Sequence, residues 1–413
     1  MRRVVPWVSL LAVLAVLLVV PVSAGGSGLW GPYLSGTNDT ATILSWRTAS
    51  PGNGSLSYAN GSFFRSSPHY DHVIYDNGTG VQHHLLVSGL EPGTMYQYSL
   101  SVEGYPAVEG HFTTFPIDGK FTFIVYGDTQ DQLPFFTQDD RHRLVADRIA
   151  EEDPLFVIHT GDLTSDGLDP LAWDRFFSAG GRMLANSSFF PVPGNHEENS
   201  TLFSSLFMHQ GWYSFDCGDA HFTLLDSNTW AWARMDEQVN WLSKDLSGNR
   251  SPGFMVLHHP MYTSEAKHWG GRPDLRGAFS PAIAGGRVTV VFSGDVHAYE
   301  RDVAGGVTYL TAGTGGGPAY ALAHEKIPEW RNSLEQTLGY LRVTVDPDRS
   351  EVTVSMVRVA DLSPDTGGIA RVYPPGTIFE MVQIRTAGVA EYPDWFKVSG
   401  KILAKTLAVP FYE

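Results

Sequence analysis

The sequence has few cysteines and few cationic side chains. Cys217 is its single cysteine, so no internal disulfide can form within the 413 residues. The 28 lysines and arginines are outnumbered by 44 aspartates and glutamates, and the net charge of −16 is spread along the chain. Nucleic acid is therefore not an expected partner, because no basic stripe neutralises its phosphates. An anionic small molecule would need local positive charge, which metal ions can supply.

The apolar run near the N-terminus, at residues 8–20, is short for a membrane span. Arg2 and Arg3 precede it, and Val22-Ser23-Ala24 presents the small residues that a signal peptidase prefers. This pattern predicts a signal peptide at residues 1–24 that is cleaved after Ala24. An uncleaved signal anchor is the alternative.

Potential glycosylation sites are frequent. Seven of the 11 asparagines stand in Asn-X-Ser/Thr sequences, which indicates a secreted or cell-surface glycoprotein. They are Asn38, Asn53, Asn60, Asn77, Asn186, Asn199 and Asn249.

The length and composition predict two domains rich in strands. The chain is too long for one ordinary domain, and 43% hydrophobic residues with 12% aromatics can bury a large core. The 43 glycines and 25 prolines often end short apolar runs, which favours many turns and strands over long helices.

The first domain, expected at residues 25–116, has hydrophobic residues with a period of two. Leu44 and Trp46 share a face of one strand, as Tyr96 and Tyr98 do further on, which predicts a β-sandwich. The turn at residues 90–96 resembles a corner of fibronectin type III-like modules. Residues 115–119 are expected to be the linker. The histidines of this domain are expected at solvated strand edges; they are His69, His72, His83 and His84.

From residue 120 onward, apolar runs alternate with helical segments, as in an α/β sheet covered by helices. Five predicted strands each end in a polar side chain that can bind a metal. Because ligand sites in such sheets lie at the carboxyl ends of strands, we expect these side chains to converge. The five strand ends are Gly127-Asp128, Gly161-Asp162, Gly194-Asn195-His196-Glu197, His258-His259-Pro260 and Asp295-Val296-His297.

Two adjacent side chains of the third strand end suit different tasks. Asn195 offers a neutral amide oxygen that binds a metal without adding charge. His196 is suited to carry a proton near neutral pH. The motif therefore predicts one residue for the metal and one for the substrate.

These five motifs resemble those of calcineurin-like metallophosphoesterases and occur in the same order as in that family. The last motif continues to Arg301, and the resemblance is strongest to the purple acid phosphatase branch. The resemblance spans residues 120–357, and the preceding sandwich fits the same branch. It implies a four-layer α/β/β/α domain, expected at residues 117–358, around two metal ions. Asp162 would bridge the metals, with Asp128 and His297 at the first site and Asn195 and His258 at the second.

The resemblance also implies a phosphohydrolase mechanism. Two metals about 3.5–4 Å apart can clamp a phosphate and hold a hydroxide for in-line attack, so no nucleophilic side chain is needed. His196 would protonate the leaving group or hold a phosphate oxygen, and His259 or His268 would add a second donor. Lys267, Arg272 and Arg276 could offset the acidic surface for an incoming anion. Asp226 and Cys217 are interpreted as structural.

Three residues depart from the family pattern. Ser165 stands where the purple branch has a metal-binding tyrosine, so no charge-transfer colour is expected. Gln130 stands where other branches have a histidine and can offer only an amide oxygen as a ligand. Asp295 stands where the second metal normally meets an imidazole. Its hard oxygen favours Mn²⁺, with Fe, Zn or Mg as alternatives.

The remaining segments support this site. The glycine run at residues 313–317 lacks the lysine of a nucleotide loop and is interpreted as a flexible edge of the active site. Residues 359–413 are less regular and are expected to pack on the α/β domain.

Two classes of function remain. The favoured one is an exported phosphomonoesterase that acts on a small phosphorylated substrate, with phosphodiesters or nucleotides as alternative substrates. The other is a non-catalytic cell-surface binding or adhesion protein on a degenerate phosphatase fold.

Overall fold

The computed structural model describes residues 28–208, 211–247, 252–285 and 287–386. The signal peptide expected at residues 1–24 and residues 387–413 of the C-terminal extension lie outside these ranges. Within them, no helix has the length and apolar character that crossing a membrane requires.

A β-sandwich forms the first part of the described chain. Its strands are β1 (Leu29–Ser35), β2 (Ala41–Thr48), β3 (Gly54–Asn60), β4 (His72–Asp76), β5 (Gln82–Ser88), β6 (Met95–Val102) and β7 (Val108–Thr113), with the short helix α1 (Gly61–Ser66) after β3. One sheet has the order β4-β3-β6-β7, and β1, β2 and β5 form the opposite face. Burial alternates along β6, as the period of two predicts. The Glu91 N–H donates to the Tyr96 hydroxyl at 2.9 Å and fixes the corner before β6.

One expectation for the histidines of the sandwich is wrong. His83 is 2% exposed and stacks on Trp46 with ring centroids 4.8 Å apart. Its Nδ1 lies 2.5 Å from an oxygen of Asp76. Because β5 turns His83 toward the core, the imidazole serves as an aromatic packing surface with one polar partner. His72 is exposed.

The second part is a mixed α/β domain. Its strands are β8 (Phe121–Tyr126), β9 (Phe156–His159), β10 (Ser188–Pro191), β11 (Tyr213–Cys217), β12 (Ala220–Leu224), β13 (Gly253–Val256), β14 (Val288–Ser293), β15 (Tyr299–Ala304), β16 (Val307–Ala312), β17 (Trp330–Leu334), β18 (Thr337–Asp346), β19 (Glu351–Leu362), β20 (Ile369–Val372) and β21 (Ile378–Arg385). Its helices are α2 (His142–Glu152), α3 (Pro170–Leu184), α4 (Thr201–Phe207), α5 (Met235–Asp245) and α6 (Pro273–Ile283).

The α/β domain has four layers, as predicted. One sheet contains β20-β19-β18-β8-β9-β10, and the other has the order β11-β12-β13-β14-β16-β15-β17. Their inner faces meet in an aromatic core, in which Phe123 lies 5.1 Å from Phe222 and 5.4 Å from Phe254 between ring centroids. Helices α2, α3 and α4 cover the first sheet, and α5 and α6 cover the second. The hydrophobic burial holds both sheets in place beneath the site.

The sandwich is continuous with the first sheet of the α/β domain. Strand β1 pairs in parallel with β10 at Leu34 and Ser188, so β1, β2 and β5 extend that sheet. The buried Tyr98 hydroxyl donates to the Ala185 carbonyl at 2.6 Å, and the Tyr33 hydroxyl donates to Leu206 at 2.7 Å. The two domains therefore share a buried, hydrogen-bonded boundary.

The described part of the C-terminal extension is more regular than expected. Strand β19 continues past residue 358 to Leu362, and both β20 and β21 pair with it. Arg301 of β15 pairs with Glu380 of β21 at 2.6 Å. From Met381 to Arg385, exposed and half-buried side chains alternate along β21, as expected for a strand at a sheet edge. The extension therefore packs on the α/β domain over this stretch.

The glycine run is not a flexible edge. Residues 313–317 are buried. The Gly315 N–H donates to the Gly127 carbonyl at 2.8 Å, and the Gly317 N–H donates to Asp128 at 2.7 Å. A Cβ on Gly313 would lie 2.1 Å from the Val296 carbonyl oxygen. The glycines are thus required for close packing beneath the site.

Candidate metal centre

The polar strand ends of both sheets meet at one place. Asp128, Asp162 and Asn195 follow β8, β9 and β10 of the first sheet, whereas His258 and Asp295 follow β13 and β14 of the second. The packed sheets bring these ends together, as the parallel pairing of the strands requires. Residues far apart in the sequence thereby share one site.

The three aspartates have an unusual backbone conformation. Their φ angles are 60° at Asp128, 55° at Asp162 and 64° at Asp295. This left-handed region costs free energy for residues other than glycine, although aspartate tolerates it better than most. Strain of this kind is concentrated at functional sites, where the surrounding structure holds it in place.

Glycines before the ligand candidates allow the strand ends to approach each other. Gly161 has a φ of 102°, and a Cβ there would lie 2.5 Å from His258 Nδ1. A Cβ on Gly194 would lie 2.1 Å from Asp162 Oδ1. The Gly-Asp and Gly-Asn pairs of the sequence thus have a steric basis.

One cluster contains Asp128, Asp162 and His297, all of them buried, with ligand atoms within 4.8 Å of one another. His297 Nε2 lies 3.4 Å from Asp128 Oδ1. Gln130 is 4% exposed, and its Nε2 lies 3.1 Å from His297 Nε2 and 3.2 Å from Asp162 Oδ2. The predicted residues of the first site therefore lie together.

A second cluster contains His258, His259 and Asp295, again within 4.8 Å. His258 Nε2 lies 3.0 Å from Asn195 Oδ1, 3.4 Å from Asp162 Oδ1 and 3.7 Å from Asp295 Oδ1. Because Asp162 contacts members of both clusters, its carboxylate lies where a ligand shared by two ions would have to be.

The hydrogen bonds of two histidines fit a metal between these clusters. His258 Nδ1 donates to the Thr160 carbonyl at 2.8 Å, and His297 Nδ1 donates to Pro318 at 2.5 Å. In the neutral imidazoles each Nε2 therefore carries a lone pair. For His258 this lone pair faces oxygen acceptors, which repel it unless a cation lies between them.

Two orphaned polar atoms support the same conclusion. Asp128 Oδ2 and Gln130 Oε1 are buried and have no hydrogen-bond partner within the described residues. Turning the Gln130 amide about its terminal bond exchanges its nitrogen and oxygen, which would place an oxygen ligand beside His297. The donor set of carboxylates, imidazoles and amides thus fits two metal ions.

The carboxylates create a strong negative field. Burial lowers the pKa of His258, but the charges of Asp162, Asp128 and Asp295 outweigh it and raise the pKa to about 9. Burial raises the pKa of Asp295, and the charge of Asp128 adds to this effect. Cations are therefore attracted to the site, whether protons or metals.

His196 lies at the edge of this field. Its Nδ1 donates to the Ser165 carbonyl at 2.9 Å, and its Nε2 lies 3.9 Å from Asp162 Oδ2. The imidazole is 40% exposed. Ser165, which stands where the purple branch has a tyrosine, therefore orients His196 through its backbone.

His259 and His268 occupy different environments. His259 Nδ1 lies 2.9 Å from the Ser227 hydroxyl, and burial lowers the pKa of His259 to about 2. Its position beside His258 makes it a candidate ligand as well as a candidate donor. His268 is exposed at the rim, with Nδ1 2.8 Å from Glu265. Its imidazole is close enough to Asp295 and His259 to contribute to lowering the pKa of each, so it lies near the second cluster.

Two of the three predicted cations are engaged elsewhere. Arg272 forms an ion pair with Asp274 at 2.6 Å. Arg276 donates to the carbonyls of Gly270 and Met261. Only Lys267 of this group remains with an exposed ammonium at the rim.

Glu197 is not among the site residues predicted from the sequence. Its buried carboxylate accepts N–H groups from Asp162 at 3.0 Å, Leu163 at 2.9 Å and Gly194 at 2.6 Å. Burial and the charge of Asp162 raise the pKa of Glu197, while the N–H of Gly194 opposes the rise. Glu197 thereby joins the loops after β9 and β10. Its position at the end of the Gly-Asn-His-Glu motif is the sequence feature that could have identified it as a site residue.

Tyr320 is also not among the site residues predicted from the sequence. Its ring stacks on His297 with centroids 4.1 Å apart and an angle of 17°. Burial and the charges of Asp128, Asp295 and Asp162 raise the pKa of Tyr320 to about 12. No spacing in the sequence connects Tyr320 with a strand end, so only the fold reveals it.

Comparison with family models gives two matches. The model described as calcineurin-like phosphoesterase matches residues 121–299, which include all five strand ends. The model of the purple acid phosphatase N-terminal domain matches residues 30–114.

Individual proteins are similar over most of the chain. Purple acid phosphatase 18 of Arabidopsis thaliana is 28% identical over 306 residues, which cover 66% of this chain and 67% of that protein. The structure of purple acid phosphatase PPD1 from seeds of yellow lupin (Lupinus luteus) has a TM-score of 0.67 at 15% identity, covering 84% of this chain and 74% of that one. The structure of PhoD has a TM-score of 0.63 at 14% identity, covering 92% and 97%. At these identities the two structures establish a common fold.

Proposed function

Because this chain is a calcineurin-like metallophosphoesterase with a purple acid phosphatase N-terminal domain, we propose that it hydrolyses phosphomonoesters at a dinuclear metal site. The observation that carries the proposal is the contact of Asp162 with both clusters of candidate ligands. A carboxylate in this position could be shared by two metal ions, and a pair of metal ions would supply the chemistry that phosphoryl transfer uses.

The residues suggest how the metals would be held. Asp128 and His297, with Gln130 beside them, would hold one ion, and His258, Asn195 and Asp295 would hold the other. Asp162 would be shared. Bound metals would activate water and neutralise the negative charge of the phosphate. The oxygen-rich donor set supports Mn²⁺ as the favoured ion.

His196 would act as the proton donor. Its Nδ1 is committed to the Ser165 carbonyl, so its Nε2 is the atom that exchanges a proton with the substrate. When the imidazole is charged, this nitrogen can protonate the leaving alkoxide. The half-exposed ring lets His196 reach a leaving group that extends toward solvent.

The alternative, a non-catalytic binding protein, requires the site to be a remnant. The clustered ligand candidates and the oriented His196 argue against it, because a site kept only for folding has no need of them. Phosphodiesters and nucleotides remain the alternative substrates.

A hydrolysis panel tests the proposal. The protein would be loaded in turn with Mn²⁺, Fe, Zn²⁺ or Mg²⁺ and assayed with p-nitrophenyl phosphate and bis-p-nitrophenyl phosphate. We expect turnover of the monoester, faster with Mn²⁺, and none in Asp162→Ala. Absence of turnover with every metal and both substrates would contradict the proposal and favour the binding protein.

We propose further that the protein is exported. The charged start and apolar run of residues 1–24 support this, as does the exposure of the sequon residues Asn38, Asn53, Asn77 and Asn199. The mature chain should begin at Gly25, as N-terminal sequencing and intact mass would show. A mature protein that still carries Met1–Ala24 would indicate a membrane anchor.

A further inference from the structure

An ammonium group stands over an aromatic ring at the rim of the metal centre. The Lys267 Nζ lies 5.7 Å from the centroid of the Tyr320 ring. The His297 ring covers one face of Tyr320 at 4.1 Å and leaves no room for a side chain between them. Lys267 therefore lies over the opposite face, and one aromatic ring separates it from His297.

Hydrogen bonds between two loops hold this pair in place. The Ala266 N–H donates to the Ala321 carbonyl at 3.3 Å, which fixes the backbone beside Lys267 to that beside Tyr320. The buried Glu265 carboxylate accepts the backbone N–H of Lys267 at 2.9 Å. The two loops that carry the ammonium and the ring are thus held together before any substrate arrives, which lowers the entropy cost of binding.

The Lys267 charge is available to a ligand. Arg272 and Arg276 are engaged by neighbouring groups, whereas the Lys267 ammonium forms no ion pair within the part of the chain that the structure describes. Its only aromatic partner there is Tyr320, and a cation over a ring keeps most of its capacity to bind an anion.

We propose, on the basis of the phosphomonoesterase function above, that Lys267 and Tyr320 form a subsite for the leaving group of the substrate. The subsite selects phosphomonoesters whose leaving group carries a carboxylate. Tyr320 supports the Lys267 ammonium, and the carboxylate binds that ammonium on the side away from the ring.

The location excludes the reacting phosphate as the partner of Lys267. That phosphate must lie against the two ligand clusters, on the other side of the Tyr320 ring. A single ammonium balances one negative charge, so a carboxylate fits better than a doubly charged second phosphate in a protein with a net charge of −16.

Two esters that differ by one carboxylate test the proposal. Phenyl phosphate and 4-carboxyphenyl phosphate would be compared with the Mn²⁺-loaded full-length enzyme. In Lys267→Ala the ratio of kcat/KM for the carboxylated ester to kcat/KM for phenyl phosphate should fall about fivefold, mainly through KM. Lys267→Arg should keep most of the ratio, and the ratio in the parent should fall as salt is added.

Lys244→Ala is the matched control. Lys244 is exposed near the end of α5. The next residue, Asp245, forms a hydrogen bond with His221 near the start of β12, at the opposite end of the strand from the site. Lys244→Ala should leave the ratio unchanged. An unchanged ratio in Lys267→Ala, or equal losses for both esters, would overturn the subsite while leaving the phosphatase function intact. If the parent hydrolyses neither ester with any metal, the proposed function fails and the subsite with it.

Discussion

Asp295 is the residue that most distinguishes this site from the family pattern. Its carboxylate lies 3.7 Å from His258 Nε2, so it stands among the candidate ligands of the second site. With Asp128 and Asp162 it brings the negative charge of the ligand set to three. With two divalent ions and a hydroxide bound, the net charge of the site would be near zero, which would weaken the effect that lowers the pKa of a metal-bound water.

Replacing Asp295 by histidine should therefore change both metal preference and pH dependence. We expect the parent to work best with Mn²⁺ at neutral or mildly alkaline pH. Asp295→His should shift the preference toward Zn²⁺ and move the optimum downward, because more net positive charge acts on the water. Metal analysis and pH-rate profiles of both proteins are the measurements.

The same substitution at Asp39, an exposed residue of the sandwich, is the control and should change neither property. A parent that binds zinc or iron tightly and works best in acid, with no change in Asp295→His, would show that Asp295 is not a ligand.

Asp162 and His196 should give different phenotypes when each is replaced by alanine. Asp162→Ala should lose both metals and activity, because its carboxylate contacts both clusters. His196→Ala should keep the metals and lose about 10²–10⁴-fold in rate if His196 is the general acid. Metal content and single-turnover rates separate the two cases. Equal metal loss in both variants would make His196 a ligand or a fold element.

His221 should make stability depend on pH at a distance from the site. Burial lowers its pKa, but hydrogen bonds to Asp245 and Asp216 outweigh burial and raise the pKa above its ordinary value of 6.5. The charged pairing therefore stabilises the fold fully below about pH 6.5, and this stabilisation is lost as pH rises through the raised pKa.

His221→Gln should accordingly destabilise the protein by about 1–2 kcal/mol at pH 5.5 and by less at pH 9. Urea unfolding at the two pH values measures the difference. His72→Gln, at an exposed position of the sandwich, should show no such trend. A larger loss at pH 9 than at pH 5.5 would reverse the assigned sign.

At the scale of elements, Glu197 connects the loops that follow β9 and β10. Its two carboxylate oxygens accept backbone N–H groups from both loops, including those of Asp162 and Gly194. The loops carry the bridging candidate Asp162 and the ligand candidate Asn195. The spacing of these two ligands therefore depends on a carboxylate that is not itself a ligand candidate.

Glu197→Gln should weaken this connection, because an amide NH₂ would face backbone N–H donors. We expect a loss of about 3 kcal/mol in the free energy of unfolding, together with weaker metal binding. Urea unfolding and metal titration by calorimetry would measure both. The neighbouring exposed Glu198→Gln should be neutral. Full stability and metal affinity in Glu197→Gln would contradict a structural role for the carboxylate.

At the scale of the whole molecule, the sandwich and the α/β domain form one folding unit. They share a sheet through β1 and β10, and Trp30 and Tyr33 belong to the same core cluster as residues of α3 and α4. Such a boundary resembles a domain core more than a contact between mobile domains.

The protein should therefore unfold in a single calorimetric transition. Tyr98→Phe, which removes the buried hydrogen bond to Ala185, should lower the free energy of unfolding by about 1 kcal/mol. Unfolding should still occur in one transition. Tyr75→Phe at an exposed position should have no effect. Two resolved transitions, with Tyr98→Phe acting on one alone, would show that the domains fold independently.

Much of this protein was determined by the sequence alone, because its signals are local. Apolar runs such as Phe121–Tyr126 and the turns after them predict strands and their ends from neighbouring residues. The family resemblance of the strand-end motifs then predicts the four-layer fold and the ligand candidates. The structure confirms that fold and brings those candidates together.

Only the tertiary structure decided the contacts between elements. Glu197 binds a loop 35 residues away from it at Asp162, Tyr320 reaches His297 from the loop after β16, and His83 is buried in the sandwich. The continuity of the sandwich with the α/β sheet rests on one pair, Leu34 and Ser188. Such contacts depend on how strands and loops are placed in space, and hydrophobic periodicity reports only which face of each element is buried.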